Sequence, residues 1–158
     1  MNNRLIYCAG LLATSLLLGA CGSSRDNSAI RKVQAFHLKS DKPMPTRDRM
    51  IKSETNSRMW GAITNSERAD RLGNYYTAHW HTKDTTTPAK VRIEYRQANT
   101  GAKLFSQEVD YPSPARNNKT EFTITGAAYH TQGRVVAWRI QVIQGGEVIG
   151  QETSFLWE

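Results

Sequence analysis

The chain has 158 residues, with 21 Lys and Arg against 14 Asp and Glu for a formal net charge of +7. That length allows one domain with a tail rather than two domains. With only two cysteines, Cys8 and Cys21, neither a disulfide framework nor a four-thiolate zinc site can be built.

The first 24 residues read MNNRLIYCAGLLATSLLLGACGSS. Arg4 gives a positive start, Leu5 to Leu18 an apolar stretch, and Gly19 and Ala20 a small-residue approach to Cys21. This three-part layout is that of a secretory signal, and the apolar run falls short of the about 20 residues a membrane span needs. Leu18-Gly19-Ala20-Cys21 resembles the lipobox of bacterial lipoproteins. The resemblance implies cleavage after residue 20, lipid on Cys21 and attachment to a membrane. More than one acyl chain is needed for stable anchoring. In such lipoproteins an Asp after the cysteine tends to signal inner-membrane retention; Gly22 stands here, which favours the outer membrane. Cys8 leaves with the signal and Cys21 takes lipid, so the mature chain keeps no thiol for a disulfide, a metal site or a nucleophile.

Residues 21–58 read as a mostly extended tether, polar and interrupted by Pro43 and Pro45. Within it, residues 32–39 alternate well enough for an edge strand, ended by the prolines. Residues 59–158 then form the expected folded domain. Residues 65–72 predict a short helical turn, with a capping residue at its start and Gly73 after its end.

From Tyr75 onward the apolar period is two. Tyr76, Ala78 and Trp80 share a face in the first segment. Val91, Ile93 and Tyr95 alternate with Lys90, Arg92, Glu94 and Arg96 in the second, the pattern of a half-buried strand. Phe105 and Val109 point inward in the third, and Phe122 and Ile124 in the fourth. Gln144-Gly145-Gly146-Glu147 predicts a two-residue hairpin. With Gln144 opposite Glu147, the unbroken register sets Val142 against Ile149, Val136 against Phe155, Trp138 against Thr153 and Arg139 against Glu152. Short strands separated by turns predict an all-β fold, a single antiparallel β-sandwich.

At the level of architecture these segments resemble the fibronectin type III or immunoglobulin-like sandwich. The resemblance makes 75–82 the second strand, 90–98 the third, 134–144 the sixth and 147–157 the last. It also implies a core role for Trp80 and a corner hydrogen bond from Tyr129.

No motif for chemistry stands out. His79 and His81 leave one face of a strand but lack a third ligand nearby, so no metal is expected. There is no nucleophile elbow, zincin helix or tight carboxylate pair, and no glycine-rich phosphate loop, so neither enzyme activity nor a cofactor is expected. Arg92, Arg96 and Arg139 gather if the third and sixth strands are neighbours, forming a basic face for an anionic ligand. Glu94 and Glu152 dilute that face, and nucleic acid is not an expected partner. Trp60 and Trp157 are the tryptophans outside the core phase. The expectation is a non-enzymatic cell-envelope lipoprotein whose sandwich docks to another envelope protein. Its alternative is a binder of anionic glycan or lipopolysaccharide through the arginine face.

Overall fold

A computed structural model describes residues 29–42 and 46–157. The signal-like segment and Cys21 lie outside the described residues. Among the described residues seven strands form two antiparallel sheets. One is built from β1 (Ile30–Leu38), β2 (Gly73–His81) and β5 (Asn117–Thr125), in the order β1-β2-β5. The other contains β3 (Ala89–Gln97), β4 (Phe105–Tyr111), β6 (Val135–Gln144) and β7 (Glu147–Thr153), in the order β4-β3-β6-β7. Three short helices join them: α1 (Arg49–Met59), α2 (Asn65–Asp70) and α3 (Gly126–Gln132).

The inner faces meet as the period-two pattern requires. Tyr76, Ala78 and Trp80 of β2 and Phe122 and Ile124 of β5 pack in one core with Val91, Ile93 and Tyr95 of β3 and Ile140 and Val142 of β6. The expected edge strand is β1, which pairs with β2 alone within its sheet. Just before it Ala29 bridges the two sheets: its amide donates to the Ile149 carbonyl of β7 at 3.0 Å and its carbonyl accepts from the His81 amide of β2 at 2.8 Å.

That crossing corrects the hairpin register. Gln144 does face Glu147 and Ile143 faces Val148, but a bulge follows and Val142 lies opposite Gly150, not Ile149. A Cβ on Gly150 would come within 2.8 Å of the Ala29 and Ile30 nitrogens. The extra residue therefore sets a position without a side chain where the chain before β1 crosses. Arg139 consequently faces Thr153, not Glu152, and the expected pairs of Trp138 with Thr153 and Val136 with Phe155 do not form. Strand β7 stops at Thr153, and Phe155 is 98% exposed.

The stretch expected to be mostly extended holds a helix. Asp48 caps α1 by accepting from the Met50 and Ile51 amides, which supplies partners for donors that a helix start leaves free. Helix α2 matches the expected turn, with Thr64 as its cap and Glu67 closing a capping box.

Tyr129 is on α3, and its hydroxyl meets His37 Nε2 at 2.8 Å, so it bonds a side chain of β1 and not a backbone corner. Burial, with Lys39 and Arg134 nearby, holds the His37 imidazole below its ordinary value of 6.5. A depressed histidine stabilises the fold fully above its unfolded pKa, and that contribution is lost as pH falls from 6.5 through the folded value. The urea midpoint is therefore expected to fall between neutral and mildly acidic pH. His37→Gln should flatten that slope; an unchanged slope would show that His37 does not carry it.

Candidate functional site

The three arginines expected to form a basic face lie on the same side of their sheet. Arg92 and Arg96 are on β3, and its neighbour β6 carries Arg139 directly opposite Glu94. The same register, however, brings acids among them. Arg92 Nε lies 2.6 Å from Glu108 Oε1, and Lys90 Nζ lies 2.6 Å from Glu108 Oε2. These cations hold the Glu108 carboxyl below its ordinary range, Lys90 contributing most. Arg139 grips Glu94 through Nε and Nη2. The chain beyond β7 folds back, and the Trp157 ring lies 5.0 Å from both the Arg96 and the Arg139 guanidinium carbons. Arg92 and Arg139 are thus engaged by carboxylates, and Arg96 and Arg139 lie against an indole, so the face is not a field of open positive charge.

A different site lies on the opposite sheet. Helix α1 stands over the outer face of β1-β2-β5, leaving a cleft of about 440 Å³. Its C-terminal end is tied down. The Arg71 guanidinium donates to the carbonyls of Arg58 (2.9 Å) and Trp60 (2.7 Å), and Arg58 stacks 4.5 Å above the Tyr75 ring while pairing with Glu54. At the other end Ile51 lines the cleft beside Met50, which is 77% exposed. The only buried side chain of α1 is Thr55, whose hydroxyl bonds its own helix at Ile51. The helix is thus fastened at one end and shares an open gap with the sheet.

Alternation within the strands furnishes the floor. Gln34 and Phe36 of β1 face Thr77 and Tyr75 of β2 across the outer side of the sheet. His79 Nε2 approaches Gln34 Oε1 at 3.3 Å, and Lys119 pairs with Glu121 at 2.6 Å, holding that carboxyl below its usual range. The lining combines an apolar wall of Phe36, Met50 and Ile51 with polar groups, as binding clefts do. Among the described residues no three His, Cys, Asp or Glu side chains gather to hold a metal. The Asp48 cap was the one signal in the sequence for α1. Neither it nor the alternation of β1 shows that the two elements face each other across a gap.

Comparison with protein-family models, with curated proteins and with solved structures found no match.

Proposed function

We propose that the chain is a cell-envelope lipoprotein, lipid-anchored at Cys21 in the outer membrane, whose sandwich docks another envelope protein and performs no chemistry of its own. The observation that carries the docking is the α1 cleft, an apolar-walled concavity beside the outermost strand of its sheet. The anchor rests on the lipobox-like residues. Strand β1 begins at Ile30, so at most ~30 Å of chain separates the lipidated residue from the sheet, at 3.3–3.6 Å per residue. The domain would stand close to the bilayer.

For the finer fold type we propose a fibronectin type III-like sandwich. The constant-type immunoglobulin arrangement pairs the fourth strand with the fifth in the first sheet. Here the fourth strand pairs with the third in the other sheet. The alternative ligand, an anionic glycan or lipopolysaccharide on the arginine face, would have to displace Glu94, Glu108 and Trp157 from the groups they already engage.

Two measurements test the proposal. Cys21→Ser is expected to move the protein from the membrane fraction to the soluble one, and unchanged fractionation would end the anchor. A photo-crosslinking residue at Met50 in intact cells should trap one defined protein, whereas the same residue at Gln141, on β6 of the other sheet, should not. Monomer alone at both positions would end the docking reading.

A further inference from the structure

We infer that the cleft receives an acidic, extended segment of the partner, which adds as a strand to the edge of β1 along residues 32–38; this rests on the docking reading above. Three observations carry it.

The first is the edge. Strand β1 is outermost in its sheet, and along residues 32–38 its backbone pairs with β2 alone among the described residues. An edge of this kind leaves a row of N–H and C=O groups able to pair with another chain. The second is the reach of the cleft. Gln34 and Phe36 line it from the outer face, and Ala35 between them, opposite the inward-facing Tyr76, is also among the residues that border it. A cleft bounded by three successive residues of the outermost strand lies beside the edge along which an added backbone would run.

The third is the charge. Residues 31–58 hold eight Lys and Arg against three Asp and Glu, whereas residues 59–158 hold eleven against ten. Nearly all the positive balance beyond Cys21 therefore belongs to β1, α1 and the connection between them. Arg31, Lys32, Lys39, Arg49 and Lys52 are all exposed and flank the cleft, whose own charged lining pairs off as Arg58 with Glu54 and Lys119 with Glu121. The complement is an anionic segment with alternate apolar residues: in an added strand one set of side chains would turn toward Phe36, Met50 and Ile51 and the other toward the opposite face of the sheet. An anionic lipid surface would share the attraction, but a flat bilayer neither enters a cleft nor completes a strand ladder.

The test uses the whole mature chain with two labelled short peptides, one alternating Val with Glu and the other Val with Lys, and with vesicles of phosphatidylcholine and phosphatidylglycerol. The Glu peptide is expected to bind, more weakly as ionic strength rises, and to slow amide exchange along residues 32–38. Lys32→Glu combined with Arg49→Glu should lower its affinity about tenfold, with unchanged circular dichroism because both side chains are exposed. Equal affinity for the two peptides would make the cations no more than a guard on the edge and overturn the inference. Binding without slowed β1 exchange, or slowed exchange produced by the vesicles but not by the peptide, would overturn it too. If Met50 traps a protein in cells while the Glu peptide fails to bind, docking stands and strand addition falls.

Discussion

Replacing Trp80 with alanine is expected to leave much of the domain unfolded near body temperature. Trp80 is 1% exposed, and its indole N–H donates to Thr120 Oγ1 at 2.9 Å. The Tyr111 ring meets it edge-on at 5.2 Å, and the Tyr111 hydroxyl lies 2.8 Å from the same Thr120 oxygen. One side chain thus joins β2 to β5 in its own sheet and to β4 in the facing one. Truncating a buried tryptophan removes about 3–5 kcal/mol, against a total of about 5–15 kcal/mol for a typical domain. The described residues include no cysteine, so no disulfide within them offsets the loss. A urea titration followed by far-ultraviolet dichroism should show a markedly lower midpoint. Thr120→Val should show a smaller fall, about 1–3 kcal/mol, because it strands the buried indole N–H without removing the ring. If the alanine variant unfolds at the wild-type midpoint, Trp80 is not the hub of this core.

The parts of the fold legible in the sequence are those where burial alone decides. Val91, Ile93 and Tyr95 alternate with charged residues because β3 lies between β4 and β6, with one face on the core and the other in solvent. The hairpin turn was equally legible, since two glycines at Gly145 and Gly146 admit its positive φ angles. What the pattern could not show depends on a third element. The β6–β7 bulge exists because the chain before β1 crosses at Gly150, and no property of β6 or β7 alone announces it. A single such residue was enough to move Arg139 from its expected partner, Glu152, to a place opposite Thr153.

The candidate site was illegible for a related reason. Helix α1 has hardly any apolar stripe, as only Thr55 is buried, so its periodicity is silent although its capping residue is in plain view. Charge was readable as a total and not as a location. The alternating Arg and Glu of β3 look basic until the register sets Glu108 beside Arg92 and Glu94 beside Arg139. The unbalanced positive charge lies instead in the stretch read as a tether, which the fold turns into a strand, a helix and the gap between them.

Gly73→Ala is the second substitution expected to have a large effect, and the reason is a strand and not the helix before it. Gly73 follows α2 in sequence, where a glycine is a common stop signal, yet the helix is capped at Arg71. Gly73 opens β2, the central strand of its sheet, with φ at +151° and Thr125 of β5 as its partner. A Cβ there would fall 2.2 Å from the Ile124 carbonyl oxygen and 2.9 Å from the Thr125 Cα. These are backbone atoms held in the sheet, so relief requires parting β2 from β5 where Asn74 also accepts a hydrogen bond from the buried Val135 amide. An unfavourable φ and forced overpacking together should destabilise by about 2–5 kcal/mol. Gly101→Ala isolates the steric part: Gly101 has φ +60°, but a Cβ added there would meet nothing within 4 Å, so only the conformational part, about 1–2 kcal/mol, applies. Equal unfolding midpoints for the two variants would mean that β5 can yield at Ile124 and that the close approach of the two strands is not required.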